Sequence, residues 1–270
     1  MSTFSSSRRT GLRKTVHKLR HFRSGKLYKA CRRSWARLTG RPVVHFLHVR
    51  KAGGSSIKAA LVPRATAGPF LVECHPHRIT INDIPKGEKV FFVVRDPVAR
   101  FVSGFQSRLN QGRPAHDVPW KDGEQQVFRQ FTDPNELALA LADPDEARRE
   151  VAEHAMRTII HVRSSYWDWF IDEATLRSRA DDVVMVLRQE ALPADFAKLV
   201  ELLQLPGAVE LPDDPATANR STGSGKHSLT PRARAAIEAH YARDYDFLAI
   251  CRELFGVDGS SHARPCARRC

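Results

Sequence analysis

Three stretches of the chain are apolar without the polar alternation of a half-exposed strand: Val43-Val44 with Phe46-Leu47, Val90-Phe91-Phe92-Val93-Val94, and Val183-Val184-Met185-Val186-Leu187. Runs of this kind are what strands covered on both faces require. A shorter run, Phe70-Leu71-Val72, lies between the first two. Helical patterns separate them. Val98, Phe101, Val102, Phe105 and Leu109 recur at a spacing that puts them on one face of a helix. Residues 135–142, 145–161 and 194–203 read as further helices, and a last one runs from Thr230 to about Phe255, with Ile237, Tyr241, Tyr245 and Leu248 turned to the core. Buried strands alternating with amphipathic helices predict an α/β domain around a central parallel sheet.

Two strand–helix junctions concentrate polar chemistry. The first strand ends in His48-Val49-Arg50-Lys51-Ala52-Gly53-Gly54-Ser55-Ser56, and helical sequence begins at Ile57. A glycine turn there leaves unpaired backbone N–H groups and the positive end of a helix dipole at one point, which attracts anions. Lys51 adds a charge, and Ser55 and Ser56 add hydroxyls. The order differs from a Walker A loop, because Lys51 precedes both glycines. At the second junction Arg95 closes the strand, Asp96 occupies an N-cap position and Pro97 the first helical position. Arg100, Ser103 and Ser107 share a helix face away from the apolar stripe. Ligands of open α/β sheets bind outside the carboxyl ends of the strands, so the two junctions together could hold two phosphate groups of one ligand.

Charge refines this picture. The chain of 270 residues carries a net charge of +13, yet residues 1–41 contain thirteen of its 43 Lys/Arg and no Asp or Glu. The remaining 30 basic residues balance the 30 acidic ones. The excess therefore belongs to an N-terminal arm (1–41), not to a groove on the domain (42–256), and no specific nucleic-acid partner is expected. In the arm, Leu12, Val16, Leu19 and Phe22 recur at helical spacing among cations, so it is either an amphipathic helix for an anionic membrane surface or polyanion, or a solvated tail. Residues 257–270 read as a flexible C-terminal tail. Nothing approaches the ~18 apolar residues of a membrane span, and the first thirty residues lack the apolar centre of a signal peptide. Together with five scattered cysteines, this predicts a cytoplasmic protein, possible contact with a membrane being peripheral. Cys74-His75-Pro76-His77 is too closely spaced for a usual zinc site, and no metal is expected.

The two junction segments, in this order, resemble the 5′-phosphosulfate loop (H-I-P-K-T-G-G-T-S) and the 3′-phosphate segment (R-D-P-x-x-R-x-x-S) of P-loop-like sulfotransferases. The similarity is to the branch with carbohydrate sulfotransferases and their bacterial relatives, and extends from about residue 43 to 255. It implies a three-layer α/β/α P-loop-like fold and transfer of a sulfuryl group from 3′-phosphoadenylyl sulfate (PAPS) to an acceptor hydroxyl, on a carbohydrate or glycolipid, without a metal. By position, Lys51 would meet the bridging oxygen, Gly53, Gly54, Ser55 and Ser56 would cradle the 5′-phosphosulfate, and Arg95 and Ser103 would hold the 3′-phosphate. Arg50 stands where the family has proline and adds a cation, while Ala52 replaces threonine. Arg220 and Lys226 lie where relatives have a loop that closes over the nucleotide. Glu190 matches a family R-x-E segment and reads as structural.

An acceptor hydroxyl also needs a general base. Between the two motifs His77, then His75, are the candidates, with Glu73 as the carboxylate alternative. Residues 111–121 form a candidate substrate-facing loop, and the aromatics of 166–170 could stack on a ligand or simply fill the core. A nucleotide-dependent kinase is the rival enzyme, disfavoured by the absence of a G-K-[ST] order and of an acidic Mg²⁺ ligand. A polyanion-binding protein acting through the arm is the rival without catalysis.

Overall fold

The computed structural model describes residues 31, 33–36, 38–114, 116–212 and 229–257. The amphipathic pattern at 12–22, Arg220, Lys226 and the tail from 258 lie outside the described residues. The chain divides into two compact units, residues 1–43 and 44–270. In the first, the Thr39 hydroxyl donates to the Trp35 carbonyl over 2.9 Å, and the Arg41 guanidinium lies 5.3 Å from the centre of the Trp35 ring.

The fold is α/β, with a central sheet of parallel strands flanked by helices. Its strands are β1 (Val43–Leu47), β2 (Leu71–Cys74), β3 (Lys89–Val94) and β4 (Val183–Arg188), ordered β2-β1-β3-β4. β3 runs parallel to both β1 and β4. Phe46 pairs with Phe91 across β1 and β3, and their rings meet with centroids 5.0 Å apart. Phe46, Phe91 and Phe92 are fully buried, each contributing about 1.5–3 kcal/mol of transfer free energy. Apolar side chains on both faces of these strands explain why their sequences do not alternate.

After β1 the chain crosses to β2 through α1 (Gly54–Leu61), and β3 returns on the other side of β1. The connections thus diverge between β1 and β3, which opens a crevice at their carboxyl ends. α2 (Pro97–Leu109) follows β3 directly. The helices α3 (Glu124–Gln130), α4 (Pro134–Ala140) and α5 (Glu146–Thr158) pack with α2 into a second apolar core around Phe105, Phe128 and Met156. The short α6 (Trp167–Phe170) and α7 (Glu173–Ser178) lead to β4, which α8 (Leu192–Leu202) follows.

The helix expected from Thr230 to Phe255 is two helices, α9 (Pro231–His240) and α10 (Ala242–Phe255). Tyr241 leaves helical geometry at ψ 25°, and its hydroxyl donates to the Val162 carbonyl over 2.6 Å. Just beyond the break, buried Asp244 pairs with buried Arg100 and accepts from the Tyr166 N–H over 3.0 Å. Tertiary hydrogen bonds thus interrupt a continuous hydrophobic pattern. Arg100 is thereby part of the scaffold, with its guanidinium 4.5 Å from the Tyr166 ring centre.

Candidate active site

The crevice holds a cleft of ≈ 590 Å³. From the first junction it is lined by His48, Arg50, Lys51 and Gly53 to Ser56; from the second by Arg95, with Ser103, Ser107 and Arg108 of α2. His77, His116, Lys121, His161 and Gln189 add further polar groups, and Asp and Glu are absent from its described lining residues. A cleft with this balance selects anions.

The loop after β1 owes its shape to two left-handed residues, Lys51 at φ 61° and Gly53 at φ 86°. Gly53 precedes α1 as an N-cap without a side-chain cap, and no acidic residue follows in the first turn. The first-turn N–H groups of α1 therefore receive no acceptor from a cap side chain. Gly54 is required by space: a Cβ there would lie 2.3 Å from Cδ2 of His48 and 3.0 Å from Cζ of Phe46. Burial, and then the nearby Arg95, push the Lys51 ammonium down to about 8. A cation held in that state gains from a bound anion, which would offset both effects.

The second junction is tied to the first, because Arg95 Nη1 donates to the Lys51 carbonyl over 3.2 Å. The backbone here is clamped from behind. Tyr166 Oη accepts from the Arg95 N–H over 2.8 Å and donates to its carbonyl over 2.6 Å. The Asp96 N–H donates to Glu190 over 2.9 Å, and the Asp96 carboxylate caps α2 through Ala99 N–H at 2.9 Å. Glu190 therefore shapes the loop, as its sequence context suggested. Arg95 Nε is buried with no hydrogen-bond partner among the described residues, and desolvation lowers the guanidinium from its ordinary range. Arg50 is likewise lowered by burial and by Arg163, and it donates to the Ser164 hydroxyl at 3.3 Å.

Of the histidines, His77 lines the cleft and His75 does not. His77 Nδ1 lies 2.8 Å from the His48 carbonyl, an acceptor only, so the Nδ1 proton is donated to it. Nε2 is then the basic nitrogen, and desolvation lowers the ring's pKa. His75 is buried, with Nε2 2.8 Å from Nδ1 of His45, and Glu73 is also buried on that side of β1 and β2. Their separation follows from strand geometry and from the turn at Pro76, which sends His77 to a different environment.

His48 and His161 were not assigned roles on sequence grounds. Burial drives His48 down to about 2 and His161 to about 3, so both are neutral at ordinary pH. His48 could have been found as the first residue of the loop motif; His161, delivered by the segment after α5, had no local signal. Arg108 faces the cleft, but its charge is answered by Glu124, and it donates to the carbonyls of Val118 and Pro119 at 3.2 and 2.9 Å. It thereby holds the 111–121 loop, whose Gly112, His116, Val118 and Lys121 reach the cleft. The aromatics of 166–170 do not line it: Tyr166, Trp169 and Phe170 are core residues.

A family model described as "Sulfotransferase family" matches residues 36–249. The chain belongs to the sulfotransferase family. The match spans both junctions, the 111–121 loop and β4, so every lining residue of the cleft falls inside it. No curated protein matches the chain. Sulfuryl transfer is the chemistry of this family, and its acceptors carry hydroxyl groups. No helix among the described residues is long and apolar enough to cross a membrane.

Proposed function

We propose that this sulfotransferase uses PAPS as its donor and a carbohydrate or glycolipid hydroxyl as its acceptor. The observation that carries the donor assignment is the pairing of two desolvated cations, Lys51 and Arg95, at adjacent strand ends in a cleft whose described lining residues include no carboxylate. The orphaned Nε of Arg95 and the side-chain-free cradle at Gly54 fit a ligand with two separate anionic groups. Gly53, Gly54, Ser55, Ser56 and Lys51 would hold the 5′-phosphosulfate, Arg50 would add charge beside it, and Arg95 with Ser103 would hold the 3′-phosphate.

When bound, PAPS supplies the sulfuryl group and departs as 3′,5′-ADP. Lys51, held beside the first-turn N–H groups, stabilises negative charge developing on the leaving oxygen. His77 takes the acceptor's proton at Nε2, and the His48 carbonyl keeps Nδ1 protonated so that this nitrogen stays basic. His75 and Glu73, outside the cleft, are the weaker candidates for the base. The family resemblance alone supports the carbohydrate acceptor. Assay of sulfate transfer from PAPS to a panel of oligosaccharide, glycolipid and phenolic acceptors tests it: transfer confined to phenols would overturn the carbohydrate assignment.

The domain proper is proposed to span 42–256, with the cationic arm 1–41 outside the catalytic machinery. An enzyme lacking residues 1–30 should then keep its turnover on a soluble acceptor, whereas a binder working through its arm would lose its activity.

A further inference from the structure

Outside the cleft, the first strand and the edge strand bring together a second set of polar side chains. His45 of β1, Glu73 of β2 and His75 just beyond it are all buried, and each offers a ligand atom within 4.8 Å of the others. Strand alternation explains the grouping. Glu73 and His75 are two residues apart and share a face, while Cys74 between them joins the apolar core on the other side. The His75 N–H continues the ladder by donating to the Phe46 carbonyl at 3.1 Å, which sets His75 beside His45.

The imidazoles meet edge to edge. His45 Nδ1 and His75 Nε2 are 2.8 Å apart with ring planes inclined by 15°. On its other side His45 donates from Nε2 to Glu88 over 2.5 Å. That contact fixes the orientation of His45 and leaves Nδ1 turned toward His75. A carboxylate on the far nitrogen of a histidine is the usual outer support of a metal ligand, setting its tautomer and raising its basicity.

We propose that His45, Glu73 and His75 form a binding site for one divalent transition metal ion of the zinc class, with Glu88 as the positioning residue for His45. Two imidazoles and a carboxylate suit zinc, and the remaining position is open to water. At Zn–N distances of about 2.0–2.1 Å, tetrahedral ligand atoms lie roughly 3.3 Å apart. The two nitrogens must therefore open by about 0.5 Å while the carboxylate closes in. Binding displaces the proton between His45 Nδ1 and His75 Nε2, which moves to Nδ1 of His75, so that both imidazoles bind as neutral ligands. The ion would join β1 to the edge strand β2 and anchor the segment that leads through Pro76 to His77. It contacts no cleft residue, so the site stands or falls independently of the donor assignment.

Titration of the full-length, metal-stripped protein with Co²⁺ tests the site. One equivalent is expected to give the visible absorption of a low-symmetry nitrogen–oxygen site, lost in His45→Ala and His75→Ala but kept in His77→Ala. Zn²⁺ alone should raise the thermal midpoint of the wild type by several degrees and leave Glu73→Gln unmoved. Because Glu73→Gln preserves volume, it decides the matter even where a histidine variant fails to fold. Absence of the Co²⁺ absorption, or its persistence in His75→Ala and Glu73→Gln, overturns the proposal, as does a Zn²⁺ shift undiminished in Glu73→Gln.

Discussion

His77 donates its Nδ1 proton to the backbone carbonyl of His48 over 2.8 Å, and the two imidazoles lie with ring centroids 3.9 Å apart. One residue of the anion loop thus sets the tautomer and the orientation of the proposed base. His77→Ala should lower kcat by about 10²–10⁴-fold and leave the affinity for 3′,5′-ADP nearly unchanged. Equal turnover in His77→Ala, with a loss in His75→Ala, would transfer the role of base to His75.

The same geometry dictates a pH profile. His77 must be neutral to accept a proton, and burial lowers its pKa below the ordinary 6.5, so kcat/KM falls only on the acid side of that value. Lys51 must be charged, and it titrates at about 8 in the free enzyme, so kcat/KM falls again as pH rises through that region. A bound anion raises the Lys51 pKa, and the alkaline limb of kcat should lie above that of kcat/KM. Lys51→Ala should remove the alkaline limb along with about 10²–10³-fold of kcat. Initial rates across a pH series check both.

Gly54 is the least substitutable position of the loop. A Cβ there lies 2.5 Å from Nε2 of His48 as well as against Cδ2, so Gly54→Ala must displace the ring that lies tilted against His77. Overpacking of this kind costs about 1–3 kcal/mol. A lowered thermal midpoint together with a drop in kcat is expected; unchanged activity would show that His48 is free to move.

Arg100 and Asp244 form a buried pair that links α2 to α10, and Asp244 also receives the Ser165 hydroxyl and the Tyr166 N–H. Removing one partner strands a buried charge. Asp244→Ala should cost about 3–5 kcal/mol in denaturant unfolding. Tyr166→Phe, in contrast, loses only the two hydrogen bonds that clamp Arg95. It should raise KM for the donor several-fold and change kcat little.

Much of this architecture was legible because it depends on local signals. β1, β3 and β4 are apolar runs apart from His45 and the end residues Lys89 and Arg188, Pro97 and Thr230 mark helix starts, and Gly53 and Gly54 mark the turn. The family motifs then related Lys51 to Arg95, which the fold brings together at the switch between β1 and β3. What stayed hidden depends on partners far along the chain. The break at Tyr241 is set by Val162, the role of Arg100 by Asp244, and the presence of His161 in the cleft by the path after α5. His75 and His77 look equivalent in sequence, two residues apart. Pairing of β2 with β1 gives one to His45 and the turn at Pro76 gives the other to the cleft.

The central claim is that Lys51 and Arg95 hold two anionic groups of a 3′-phosphorylated nucleotide. Calorimetric titration with 3′,5′-ADP beside ADP and ATP tests it most directly. Clear preference for 3′,5′-ADP is expected, reduced about tenfold or more in Arg95→Ala, in line with loss of a charge-assisted hydrogen bond of about 1.5–3 kcal/mol. Equal affinity for the three nucleotides, or tighter binding of ATP, would contradict it.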